Sequence, residues 1–166
     1  MAVKNSEIVT FFEDLATKHL KILHDASARK HFYRMELDEF AKGTSNMTGN
    51  NMILEVIPFK YDGSNRDNSF KVRDVAFLIT KSLPTINKVA ISDAFDECEA
   101  IVDDMLSMLQ RARCGFNKTL ITYDPETIEC LQISDGKNFG IRCFVSVKSS
   151  HNFDVITANW LEDDSN

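Results

Sequence analysis

The sequence predicts an α+β fold: an antiparallel sheet with two helices packed on one face, in the order α-β-β-β-α-β-β(-β), and with a long protruding β-hairpin. Three observations predict it. Two segments repeat apolar residues at three- and four-residue steps, several runs alternate apolar and polar residues, and turn-forming dipeptides join those runs as hairpins. Of the 166 residues 43% are apolar, with six Gly and three Pro. That suffices for one core and not for two, so residues 1–166 are read as a single α+β domain whose acidic tail, 162–166, frays.

The first periodic segment follows Ser6, the expected N-cap. Ile8, Phe11, Phe12, Leu15, His19, Ile22 and Leu23 then mark one stripe of a helix of about five turns. Its exit is basic, with Lys18, Lys21, Arg29, Lys30 and Arg34 against Asp25 alone. From Phe32 the period becomes two: Tyr33, Met35 and Leu37 lie on one side and Arg34, Glu36 and Asp38 on the other, as in a half-buried strand. The polar run 43–51 reads as a loop.

Residues 52–61 and 70–81 are rich in β-branched and aromatic side chains and flank an Asp-Gly and Asn-rich turn, which predicts the long hairpin. The apolar phase of its second arm switches between Val72 and Val75, which places a bulge or bend near Arg73 and Asp74. A second helix is expected from Ser92 as N-cap, with Asp93, Asp96 and Glu97 at its start. Phe95, Cys98, Ile101, Val102, Met105, Leu106 and Leu109 form its apolar face, and Arg111, Arg113 and Gly115 close it. Runs 119–123, 127–133 and 140–149 are strands, Asp135-Gly136 marks a turn, and a short segment at 155–161 is a candidate last strand.

The formal charge of −6 and a pI near 5.2 exclude binding of nucleic acid or anionic lipid through the overall field, so only a local basic patch could do so. The longest strongly apolar stretch, 75–79, falls far short of the ~20 residues that cross a bilayer. Acids near the N-terminus argue against a signal peptide, so neither a membrane partner nor secretion by a signal peptide is expected. Cys98, Cys114, Cys130 and Cys143 show no C-x-x-C spacing. The leading reading is four reduced, buried thiols, with disulfides or a metal as the alternatives.

Signatures of chemistry are missing: no G-x-S-x-G, no phosphate-binding glycine loop, no H-E-x-x-H and no EF-hand loop occurs. His19 and His24 are five apart on a helical pattern and turn away from each other, so His19 on the apolar stripe reads as a satisfied core histidine. The acids Asp93, Asp96, Glu97, Glu99, Asp103 and Asp104 suit a solvated helix face better than a carboxylate metal site. The expectation is a non-enzymatic protein with no cofactor, no metal and no small-molecule substrate.

The hairpin is the distinctive feature. Its first arm is apolar on both faces, Leu54 and Val56 on one and Ile53, Ile57 and Phe59 on the other, so both faces need cover. That cover is either a neighbouring subunit or the final segment with Phe153 and Trp160 folded back. The subunit reading assigns an interface to Ile53, Ile57, Phe59, Phe70 and Arg73 on the arms and to Asp62, Gly63, Ser64, Asn65, Arg66 and Asp67 at the tip.

The element order, the hairpin MILEVIPFKY-DGSNRDNS-FKVRDVAFLITK, the helix SDAFDECEAIVDDMLSMLQR and the run from Asp135 to Gly140 followed by the alternating strand Ile141 to Val147 are similar to the tail-terminator and neck-ring proteins of tailed bacteriophages. The resemblance covers most of the chain and rests on element order and pattern. It implies a virion structural protein without catalytic residues, made in the host cytoplasm and placed at the head-tail junction or tail as a homo-oligomeric ring. Its implied partners are copies of itself and adjacent neck or tail proteins, with passing contact to DNA in a channel. The competing class is a small acidic secretion chaperone of nearly the same element order, which dimerises and holds a client segment along apolar strands.

Overall fold

The computed structural model describes residues 4–28, 30–35, 47–62, 69–112, 122–123 and 129–151. Helix α1, Asn5–Lys18, precedes strand β1, Phe32–Arg34, and two 14-residue strands, β2, Gly49–Asp62, and β3, Ser69–Ser82. Helix α2, Lys88–Ala112, is followed by β4, Thr122–Tyr123, β5, Glu129–Asp135, and β6, Asn138–His151. The hairpin tip and the candidate strand at 155–161 lie outside the described residues.

The six strands form one sheet in the order β1-β2-β3-β6, with β5 and β4 sharing the outer edge of β6. The α+β class and the element order agree with expectation. The sheet, however, is mixed: β1 runs parallel to β2, with Phe32 opposite Met52 and Arg34 opposite Leu54. Fourteen residues separate Arg34 from Gly49. A connection of a dozen or more residues can carry the chain back to start a parallel neighbour, whereas a tight turn cannot.

β3 lies between β2 and β6, and its residues 75–80 are all buried. Val75, Phe77 and Ile79 join Met52 and Leu54 of β2 and Ile141, Cys143, Val145 and Val147 of β6 in a cluster with both helices. α1 supplies Ile8, Phe12, Leu15 and Ala16, and α2 supplies Cys98, Ile101, Val102, Met105 and Leu109. Both helices therefore pack on one face, and the Phe12 and Phe77 rings meet at 5.4 Å. The other face has its own small cluster, Met47, Ile53 and Leu78, with Tyr33, Met35 and Ile133 packed against it. At 3% exposure, Ile53 has no surface left for the intersubunit contact assigned to it, because Met47 and Leu78 already use it.

The helix limits differ from expectation for identifiable reasons. Lys4, not Ser6, is the N-cap of α1, and its backbone N–H donates to the Glu7 carboxylate at 2.7 Å. α1 ends at Lys18 because His19 is extended, and the following turn buries Ile22 but leaves Leu23, at φ 52°, exposed. α2 begins four residues before Ser92, capped by Asn87, whose Oδ1 accepts the Ala90 N–H at 2.9 Å. β2 likewise starts at Gly49, inside the run expected to be a loop.

The bulge lies on the other arm from the one expected. Val56 pairs with Val75 and Phe59 with Arg73, so Ile57 and Pro58 stand against Asp74 alone. Proline has no N–H for the ladder, which explains why β2 and not β3 takes the extra residue. Before the bulge, even-numbered β2 residues face the helices; after it, Phe59 and Tyr61 point to that side.

Buried amides tie the polar start of β2 to its surroundings. The Asn50 side chain donates to the Lys21 carbonyl at 3.1 Å and to Glu97 Oε1 at 2.8 Å, while the Lys81 ammonium donates to Glu97 Oε2. Asn51, fully buried, donates to the Gly49 carbonyl at 3.1 Å and places its Oδ1 3.1 Å from His31 Nδ1. The Lys81 hydrogen bond, and then the Asn50 one, hold the Glu97 carboxyl below its ordinary value of 4.5. A carboxyl depressed by folding stabilises the fold above its unfolded-state pKa, and the benefit is lost as pH falls through the lower folded value.

Glu97→Gln should lower stability at neutral pH by about 1 kcal/mol, as for one charge-assisted hydrogen bond at a partly exposed site. Urea melts should show the gap from wild type closing as pH falls below 4.5. At Gly140, a Cβ would lie 2.0 Å from the Ile79 carbonyl oxygen and 2.7 Å from the Thr80 Cα. Backbone cannot yield there as a side chain could, so Gly140→Ala should cost about 3 kcal/mol or more in the same melts.

Candidate interaction surface

The face that carries the helices continues beyond the bulge as a different surface. Phe59 and Tyr61 on β2 stand opposite Arg73 and Lys71 on β3, and all four have the parity of the core residues Val75 and Phe77. Phe59 is 43% and Tyr61 48% exposed, and their rings meet edge to face at 5.5 Å. The Lys71 ammonium sits 3.6 Å from the Phe59 ring centroid and the Arg73 guanidinium 4.9 Å from it. Partial burial, and then the neighbouring Arg73 charge, hold the Lys71 ammonium below the usual lysine value. Two cations kept together on an exposed aromatic pair form a surface complementary to carboxylates.

On the opposite face of the same strands, Asp74 accepts from the Ser146 hydroxyl at 2.6 Å and from Lys60 at 3.3 Å. The Arg142 guanidinium pairs with Glu55 and lies 4.7 Å from the Phe144 ring centroid. These are internal contacts of the sheet. Of the residues assigned to an interface, the structure brings together Phe59 and Arg73. Phe70 is half-buried beside them in sequence but on the other face. The side chains of Ile57 and Asp62, and residues Gly63, Ser64, Asn65, Arg66 and Asp67, lie outside the described residues. Sequence reasoning missed Tyr61 and Lys71, although a residue two positions from Phe59 and one two positions from Arg73 share their face in any strand.

α2 presents a second charged surface. Asp93, Asp96, Glu99 and Asp103 are exposed on the side away from Cys98, Ile101 and Met105. Among the described residues no group of three or more His, Cys, Asp or Glu side chains could hold a metal ion. A cleft of about 760 Å³ between α1 and α2 is lined by Phe11, Leu15, His19, Asp104, Met105 and Met108, among others. His19 Nδ1 accepts the Lys21 N–H at 3.2 Å, so Nε2 carries the proton and donates to Asp104 at 3.3 Å. Both ring nitrogens are engaged, and His19 acts as a strut between the helices.

In the basic stretch that opens with the last residue of α1, Lys18 pairs with Asp14 one turn back at 2.6 Å. Asp25 accepts from the Ser27 hydroxyl and from the Ser27 and Ala28 N–H groups, which lowers its pKa and closes a turn. The thiols divide against expectation: Cys98 and Cys143 are buried, Cys130 is exposed on an edge strand, and Cys114 lies outside the described residues. No described helix is long and apolar enough to cross a membrane.

Comparison of the chain with protein-family models and with curated proteins returned no match, so the reading of this surface rests on its geometry. Exposure predicts a contrast between two phenylalanines on the same face. Phe59→Ala should change monomer stability by less than about 1 kcal/mol, whereas Phe77→Ala at the sheet centre should cost ~3–5 kcal/mol, as read by denaturant melts.

Proposed function

We propose that the chain is a non-enzymatic virion subunit that assembles into a ring at the head-tail neck or tail end of a tailed bacteriophage. The observation that carries the assembly reading is the surface of Phe59, Tyr61, Lys71 and Arg73, where strands of 14 residues extend past the bulge and present aromatic rings with two cations. Exposed aromatics beside an Arg have the composition of interface anchors. The phage setting rests on the resemblance in element order and hairpin pattern.

The acidic stripe Asp93, Asp96, Glu99 and Asp103 of α2 offers the complementary surface on a second copy. Contact between two different patches of the same chain is head-to-tail, and such contacts close into rings when the rotation permits. Adjacent neck or tail proteins are the remaining partners in this reading.

Sedimentation velocity over a range of protein concentrations, with negative-stain imaging, tests the proposal. Wild type should form closed oligomers that weaken as salt rises. The double variant Lys71→Glu, Arg73→Glu should remain monomeric, as should Glu99→Lys, Asp103→Lys, and a chain with all four changes should assemble again. Rings unaffected by both pairs of reversals would move the contact elsewhere. A salt-insensitive dimer that retains a client polypeptide would replace this reading with the secretion chaperone.

A further inference from the structure

We propose that Cys130 and Cys143 are a reversible dithiol–disulfide pair, a modification site for peroxides and small disulfides that fastens the edge strand β5 to β6. The two residues stand directly opposite each other in the antiparallel β5–β6 ladder, and the Cys130 thiol donates to the Cys143 sulfur at 3.0 Å. Directly opposed residues in antiparallel strands have Cα atoms about 4.5 or 5.5 Å apart, and a disulfide spans either distance without backbone movement.

The two thiols differ in access, and that difference sets their order of reaction. Cys130 is exposed, whereas Cys143 is fully buried and its thiol is pushed up by burial and then by the neighbouring Cys130. Cys98 is shut out, because it is buried, lies against the Phe139 carbonyl at 3.7 Å and has its thiol pushed up to about 12. Cys130 thus supplies the attacking thiolate.

With hydrogen peroxide, the Cys130 thiolate attacks one oxygen, the O–O bond breaks and hydroxide leaves, giving a sulfenic acid. The Cys143 sulfur then attacks the Cys130 sulfur; the S–O bond breaks, and the hydroxyl departs with the Cys143 proton as water. Two thiols lose two electrons and two protons, and the peroxide becomes two waters. With a small disulfide, Cys130 displaces one thiol to form a mixed disulfide, and Cys143 displaces the second. A thiol reductant reverses either route. The two-residue turn at Gly136 and Lys137 already joins one end of β5 to β6, so the new bond clamps the other end.

The test uses the full chain, treated briefly with hydrogen peroxide or with oxidised glutathione and analysed by intact mass and peptide mapping. The expected product is lighter by two hydrogens, carries a Cys130–Cys143 cross-link, leaves Cys98 free and reverts with dithiothreitol. Amide exchange across residues 129–135 should slow in the oxidised form. A Cys130→Ser variant, shown by circular dichroism to be folded, should lose no hydrogens under the same treatment. The proposal is overturned if Cys130 ends as a sulfinic acid or a stable glutathione adduct while Cys143 remains alkylatable after denaturation. It is equally overturned if the cross-link joins other cysteines, or if exchange in β5 is unchanged by oxidation.

Discussion

Burial of β3 on both faces is the constraint on which the rest of the structure depends. Residues 75–80 form an unbroken buried run, and the strand pairs with β2 on one side and β6 on the other along its length. A strand apolar on both sides cannot sit at a surface, so the sheet must be covered twice. Two helices cover one face through Phe12, Ile101 and Met105, and the small cluster of Met47, Ile53 and Leu78 covers part of the other. The neighbours also must approach closely, and at Gly140 the backbone of β3 leaves no room even for a methyl group.

The bulge at Ile57 and Pro58 divides the antiparallel β2–β3 pair into two physical regimes. Inside it, β2 contributes Met52 and Leu54 to the core; outside it, the inverted parity aims Phe59 and Tyr61 along the same face, where they are exposed. A single proline without a ladder donor therefore converts a continuous apolar arm into a core segment and a surface segment. Lys71 and Arg73 on the facing strand give that surface its charge, and the acidic outer face of α2 gives the molecule an oppositely charged surface. The proposed head-to-tail assembly joins these two non-identical patches.

Polar groups are as important as apolar ones in fixing the connections. Asn50 bridges the turn after α1 to Glu97 on α2, and Lys81 joins the same carboxylate from β3. His19 joins α1 to α2 through Asp104, and Asn51 holds the entry to β2 against His31. The Asn50 and Asn51 bonds give partners to buried amide N–H groups whose desolvation would otherwise oppose folding. The lowered pKa of Glu97 is a direct result.

Local periodicity by itself determined the class and most of the elements. The stripe of Phe12 and Leu15, the stripe of Cys98, Ile101 and Met105 and the alternation of Ile141 to Val147 are local patterns, and each reports the face on which a residue is buried. Several features were decided by the tertiary structure. Asn50 and Asn51 read as loop residues because an amide is polar, and they are buried where distant groups, Glu97 and His31, hydrogen-bond to them. Ile53 resembles a residue awaiting a partner chain until Met47, brought in from before the strand, covers it. Cys130 and Cys143 are thirteen residues apart in sequence and 3.0 Å apart at the sulfurs because the hairpin register sets them opposite each other. The parallel pairing of β1 and the arm that bulges were likewise settled in three dimensions. Both depend on which strands meet and in what register, a choice made by long-range packing that no window of local sequence contains.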